Sequence, residues 1–184
     1  GLQVLGGSGF TTDWPLEQLV RDGRIARIYE GTNGIQAMDL VGRKLALGGG
    51  RLIAGLFNLL TTYLESSPGA PHAQQLQRSV VQLQDATNWI ATHGMQDPEQ
   101  AGAAATPYLR LMALTVIGYL WSRMAGTAQK QLDAEEGHRP LLESKLVSAR
   151  YYYDRILPEV EGLLIDIKSG KDSMMALEDA HWAA

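Results

Sequence analysis

The sequence predicts an all-α protein, and three observations predict it. No segment sustains the period-two alternation of a half-buried strand. From Leu52 to Ile167 apolar residues recur instead at three- and four-residue steps. Between the periodic stretches lie Ser66-Ser67-Pro68-Gly69, His93-Gly94 ahead of Asp97-Pro98, and Gly170, all of which carry helix-start or helix-stop chemistry. The expected organisation is a set of short helices over residues 1–48, then a four-helix bundle over residues 49–184.

A hydrophobic share of 45% and a charged share of 20% suit a soluble domain with a real core. The net charge of −4 argues against a nucleic-acid partner or an acidic membrane surface. The chain has no cysteine, which removes disulfide and thiolate chemistry and fits a reducing compartment. Gly1-Leu2-Gln3-Val4 has the features of neither a signal nor a transit peptide, so a cytoplasmic location is expected. The most apolar run, Leu111 to Trp121, is flanked by Arg110 and Arg123 and reads as a buried helix too short to span a bilayer.

Residues 1–10 begin as a helix and run straight into Gly6-Gly7-Ser8-Gly9, the look of a truncated domain. The glycines suit either an interhelical turn or a backbone phosphate cradle, but the lysine and Ser/Thr of a P-loop are missing. Pro15 opens a short helix whose apolar face is Leu16, Leu19 and Val20. Arg21, Asp22, Arg24 and Arg27 read as surface and interface charges. Next comes Arg27-Ile28-Tyr29-Glu30-Gly31-Thr32-Asn33-Gly34-Ile35-Gln36, in which Glu30 sits on a turn at the mouth of a helix. Gly31 permits an unusual φ there. Thr32 or Asn33 caps the helix, with Gln36 placed to complete a capping box from Asn33. The face of that helix is expected at Ile35, Met38, Gly42 and Leu45.

Gly48-Gly49-Gly50 marks the expected internal boundary. The first bundle helix uses Leu52, Leu56, Leu59 and Tyr63; the second uses Leu76, Val80, Leu83 and Ile90. Asp97 caps the third, Pro98 occupies its first position and Gln100 stands ready for a capping box. Pro107 is expected to kink or restart this helix, whose middle is apolar on nearly all sides. The fourth carries a heptad seam, Leu142, Leu146, Ala149, Tyr153, Ile156, Val160, Leu163 and Ile167, bent at Pro158. Tyr151 and Tyr152 are expected as rim or interface aromatics. Asp172 is expected to cap a last short helix that reaches Trp182, with Met174 and Met175 as its filling. His72, His93, His138 and His181 lack ligand spacing, so no metal site is expected and they read as loop and surface residues.

Residues 3–45 resemble the C-terminal catalytic segment of the acyl-CoA dehydrogenase family. The match consists of Gln3-Val4-Leu5-Gly6-Gly7-Ser8-Gly9-Phe10, Pro15-Leu16-Glu17, Arg21-Asp22, Ile28-Tyr29-Glu30-Gly31-Thr32 and Ile35-Gln36. Asn33-Gly34-Ile35-Gln36-Ala37 and the long helical tail are similar to the branch with an extra C-terminal helical domain, which includes enzymes similar to methylthiopropionyl-CoA dehydrogenase. The resemblance implies FAD as cofactor and oxidation of an acyl-CoA thioester to the trans-2-enoyl-CoA. It also implies electron delivery to an electron-transfer flavoprotein and a homo-oligomer. By motif position Glu30 is the base that takes the α-proton, in a site dried enough to strengthen it, and its backbone N–H helps to polarise the thioester carbonyl.

On the same resemblance Gly31 lies against the acyl chain, and Thr32, Asn33 and Gly34 contact FAD. Gln3, Val4, Leu5, Gly6 and Gly7 reach the FAD of a neighbouring subunit. Gly34 stands where many relatives carry a polar side chain, so its contact must come from backbone. Ala37 replaces a frequent arginine. The family's N-terminal helical domain and central β-domain have no counterpart in these 184 residues, so this piece is not expected to catalyse alone. A different reading makes residues 50–184 a helical oligomerisation or interaction module of a catalytically degenerate relative.

Overall fold

The computed structural model describes residues 1–182, and every regular element among them is helical. The chain divides into two compact units, Gly1–Gln36 and Ala37–Ala184.

In the first unit, α1 (Leu2–Leu5) is a single turn running into a 3-10 turn, Gly6–Phe10. The glycine cluster is therefore ordered, Gly6 turning the chain at φ +59° into the 3-10 turn. A Cβ on Gly9 would lie 2.9 Å from both the Leu2 carbonyl oxygen and the Leu5 Cβ, so only glycine lets these turns close on each other. After it, α2 (Leu16–Arg24) leads to a 3-10 turn, Ile25–Arg27, and then to α3 (Asn33–Asp39), which continues into the second unit. The apolar face expected on α2 exists in sequence but is not buried: Leu19 is 65% exposed and Val20 47%. Gly9 is the only buried position among residues 1–36. Thirty-odd residues cannot enclose that much apolar surface.

In the second unit α3 passes into a π turn, Leu40–Lys44. Burial falls on Ala37 and Val41 and leaves Met38 exposed, against the expected face; Ile35, in the first unit, is also exposed. Gly48, Gly49 and Gly50 all take positive φ before α4 (Arg51–Ser66). Then follow α5 (Ala73–Gln96), α6 (Pro98–Asp133), α7 (Arg139–Tyr151), a second π turn, Tyr152–Ile156, and α8 (Glu159–Ser169). Helix α6 is the centre, packed on α5, α7 and α8. Its core side includes Tyr108, Leu111, Leu114 and Tyr119, meeting Leu76, Val80 and Leu83 of α5 and Val160 and Ile167 of α8. On α4 the buried positions are Leu60 and Leu64, while Leu52 and Leu59 are exposed. That helix is leucine-rich all round, so its pattern did not single out one face.

Pro107 does not restart α6, which runs through it unbroken, with Ala104, Ala105, Tyr108 and Leu111 all buried around the missing N–H. Burial also favours one side: Ile117, Leu120 and Met124 are exposed. By length and composition α6 could cross a membrane, yet 44% of its most apolar window is buried inside the bundle. The heptad seam is buried or half-buried throughout, but a π turn lies in it just before Pro158, where the Leu157 N–H donates to the Tyr152 carbonyl at 2.8 Å. That extra residue brings both Tyr152 and Leu157 into the core. The Tyr152 and Tyr153 hydroxyls donate to the Leu114 and Gly118 carbonyls, each at 2.7 Å. Tyr152 is thus a core residue, not a rim aromatic.

Gln100 does not close a capping box. Its Oε1 accepts from the Lys171 backbone N–H at 3.1 Å, tying the chain beyond α8 to the start of α6. The Lys171 ammonium adds an ion pair to Asp97 at 2.6 Å. Asp172 opens no helix: turns follow it, and only a short 3-10 turn, Asp179–Trp182, closes the described chain. Met174, Met175 and Trp182 are exposed, because Lys171 holds the tail by charge and not by packing. The histidines have structural work: His93 stacks on Trp89 with ring centroids 4.4 Å apart, and the His181 Nδ1 accepts from the Glu178 N–H at 2.9 Å. His72 stacks on Tyr153 with ring centroids 4.3 Å apart, and the His138 Nδ1 accepts from the Leu141 N–H at 3.3 Å to cap α7.

Candidate functional site

The Glu30 turn is built from both sides. Upstream, the Ile28 and Tyr29 N–H groups both donate to the Ile25 carbonyl, at 3.0 and 3.1 Å. Glu30 then takes φ +55° and Gly31 φ +93°, which reverses the chain into α3. Thr32 is the cap: its Oγ1 accepts from the Ile35 N–H at 3.4 Å, and its carbonyl accepts from the Gln36 N–H at 3.0 Å. Since the cap is Thr32, the third helical position is Ile35, and Gln36 is one residue too far along for a capping box. Its Nε2 reaches instead to the Glu30 carbonyl oxygen and donates at 2.7 Å. A non-glycine residue at positive φ costs about 1–3 kcal/mol. One such hydrogen bond returns about 1 kcal/mol of it.

What the turn presents is simple. Glu30 is exposed, and among the described residues neither a hydrogen bond nor an ion pair engages its carboxylate. No acceptor among them takes the Glu30 N–H either. One residue therefore leaves both a proton acceptor and a hydrogen-bond donor unengaged among the described residues. That pairing suits two neighbouring atoms, an acidic C–H and the carbonyl beside it.

The other expected site residues fall into two groups. Gly31, Thr32, Asn33 and Gly34 are exposed around the start of α3 with Glu30. A Cβ on Gly31 would lie 3.2 Å from Ile35 Cγ2 and 3.3 Å from Gln36 Nε2, so the turn itself demands glycine. Gln3, Val4 and Leu5 form α1, and Gly6 and Gly7 begin the next turn. All but Leu5 are exposed, Gly6 has φ +59°, and open space surrounds the Cβ direction of both glycines. No hydrogen bond among the described residues joins this group to the Glu30 turn. Gln36 is the residue whose task the sequence did not reveal. Its place near the helix start pointed instead to a capping box from Asn33.

Elsewhere, a cavity of about 630 Å³ in the second unit is lined by Val41, Leu45, Ile53, Ile90, Met95 and neighbours, none of them ionisable. Its Thr87 hydroxyl is engaged with the Leu83 carbonyl at 2.7 Å and the Tyr108 hydroxyl at 2.8 Å. Burial pushes the Tyr108 phenol up to about 12. Nothing there can move a proton near neutral pH. Among the described residues no group of three or more His, Asp or Glu could hold a metal ion.

Comparison with known proteins gives two matching families. Residues 56–178 match the model described as "Acetyl-CoA dehydrogenase C-terminal like", and residues 1–45 match "Acyl-CoA dehydrogenase, C-terminal domain". Over 181 residues the chain is 33% identical to the 3-methylmercaptopropionyl-CoA dehydrogenase of Ruegeria pomeroyi, covering 95% of this chain and 30% of that protein. It is 28% identical to a broad-specificity linear acyl-CoA dehydrogenase of Mycobacterium tuberculosis, covering 97% and 31%. It is 26% identical to a butyryl-CoA dehydrogenase of Syntrophomonas wolfei, covering 97% and 30%. The chain thus spans about 30% of the length of these relatives.

Proposed function

This chain belongs to the acyl-CoA dehydrogenase family, and from that premise we propose that it is the part of a flavin-dependent acyl-CoA dehydrogenase that carries the catalytic base. The substrate is an acyl-CoA thioester. The Glu30 carboxylate takes the α-proton, a β-hydride departs, and the trans-2-enoyl-CoA remains. The observation that carries this reading is the pairing at Glu30 of an unengaged carboxylate with an unengaged N–H on one left-handed turn. An α-proton beside a thioester is too weak an acid for a carboxylate in water, so the carbonyl needs a donor as charge develops on its oxygen. The Glu30 N–H is that donor. Because Glu30 is exposed here, exclusion of water falls to the further length that the relatives possess.

FAD, when bound, supplies the acceptor for the β-hydride. Support for it in this chain comes from the exposed start of α3, where Thr32, Asn33 and Gly34 offer backbone N–H groups and a hydroxyl. Gln3, Val4, Leu5, Gly6 and Gly7 are proposed to reach a neighbouring subunit's FAD, and the open surroundings of Gly6 and Gly7 permit close approach. The protein then works as a homo-oligomer in the cytoplasm and passes electrons to an electron-transfer flavoprotein. The domain boundary is proposed at Gly48–Gly50, with residues 49–184 as the extra helical domain. Exposed Ile117, Leu120 and Met124 on α6 favour a second task for that domain, packing against another protein surface.

The test uses the full-length protein. Purified, it should carry a flavin spectrum, and anaerobic addition of a panel of acyl-CoA thioesters should bleach it with at least one chain length. Bound flavin that no thioester bleaches would contradict the reading.

A further inference from the structure

Gln36 is the one side chain among the described residues that grips the Glu30 turn, through its Nε2 on the Glu30 carbonyl oxygen at 2.7 Å. The same nitrogen lies 3.3 Å from where a Gly31 Cβ would stand, so the amide sits directly against the Glu30–Gly31 peptide. The Gln36 backbone N–H is fixed as well, donating to the Thr32 carbonyl at 3.0 Å. The residue therefore bridges the first turn of α3 and the peptide that follows Glu30. Glu30, a non-glycine residue at positive φ, persists there only where its surroundings hold it.

We infer that Gln36 is a positioning residue for Glu30: gripping the Glu30 carbonyl fixes the Glu30–Gly31 peptide, and with it the bearing of the Glu30 side chain and N–H relative to α3. The inference rests on the reading of Glu30 as the base. The chemistry explains the residue type. A neutral amide donates without placing charge beside the base, whereas a lysine would add a cation that weakens it. A glutamate has the same reach but nothing to donate and would repel the carbonyl. An asparagine is one methylene short.

The experiment uses the full-length enzyme with its flavin reduced beforehand, so that no net oxidation occurs. Exchange of the acyl-CoA α-proton for solvent deuterium is followed by mass spectrometry in wild type, Glu30→Gln, Gln36→Ala and Gln36→Glu. Flavin content and thermal midpoint are measured for each. Both Gln36 variants should lower exchange about 10- to 100-fold at saturating thioester, as expected for a displaced reacting group. KM, flavin content and thermal midpoint should stay close to wild type. Wild-type exchange in Gln36→Glu, which keeps the size of the side chain and replaces the donor by a charged acceptor, overturns the inference. A loss of exchange that merely tracks loss of flavin or of folded protein overturns it too. If Glu30→Gln itself exchanges at the wild-type rate, the base reading fails first, and that result is distinct from failure at Gln36 alone.

Discussion

Replacing Gly31 by alanine separates the geometry of the Glu30 turn from the stability of the protein. Gly31 has φ +93°, where an L-residue pays about 1–2 kcal/mol. The stiffer unfolded chain returns about 0.4–1 kcal/mol. The new methyl would sit 3.2 Å from Ile35 Cγ2 and 3.3 Å from Gln36 Nε2. Ile35 is 59% exposed and can swing away at little cost, but the Gln36 nitrogen can yield only against its hydrogen bond to the Glu30 carbonyl. Net destabilisation should therefore stay near 1 kcal/mol. α-Proton exchange should fall about tenfold or more as the base loses its bearing. The assay pairs a thermal melt with deuterium exchange in the full-length enzyme. Gly55→Ala serves as control, since nothing stands within 4 Å of that added methyl in the middle of α4. It should stabilise by about 0.5–1 kcal/mol and leave exchange untouched. Wild-type exchange in Gly31→Ala would refute the reasoning. A raised KM with exchange intact at saturation would instead put the methyl against the acyl chain.

Three further outcomes are expected. Tyr153→Phe removes a buried 2.7 Å hydrogen bond to the Gly118 carbonyl and should cost about 1–2 kcal/mol in urea unfolding of this chain. Leu111→Ala, at a fully buried position on α6, should cost about 2–5 kcal/mol in the same measurement. Hydrogen bonds from Arg43, then Lys44, hold the Asp39 carboxyl at about 2, below the ordinary 3.8. Because the folded-state value is the lower one, its contribution is complete above about pH 4 and disappears as pH falls towards 2. A titration of the unfolding midpoint should show this loss, and Arg43→Ala should flatten it; an unchanged slope would contradict the assignment.

Much of the bundle was legible because its signals are local. The α5 stripe Leu76, Val80, Leu83 and Ile90 is buried as its spacing implied, and Asp97 accepts from the Glu99 N–H at 3.0 Å as a cap should. Positions governed by distant partners were not legible. Gln100 had every mark of a capping-box residue, but Lys171, brought beside it by the return of α8, takes its oxygen. The predicted seam is buried on both sides of the π turn before Pro158, at Tyr153, Val160 and Ile167, but the turn adds Tyr152 and Leu157 to the core, which a fixed heptad count cannot register. On α2 the periodicity identified an apolar face correctly, yet Leu19 and Val20 remain exposed because periodicity does not supply the covering surface. At the site, Glu30, Gly31 and Thr32 were recognisable as a turn and cap. The grip of Gln36 was not, since it depends on two residues adopting positive φ.

The central claim is that Glu30 is the base. The most direct measurement is the rate of flavin reduction by the best acyl-CoA thioester in the full-length enzyme, wild type against Glu30→Gln, with flavin content and thioester binding matched. Loss of a positioned general base should slow reduction by about 10²–10⁴-fold while binding persists. Reduction at the wild-type rate in Glu30→Gln would contradict the account.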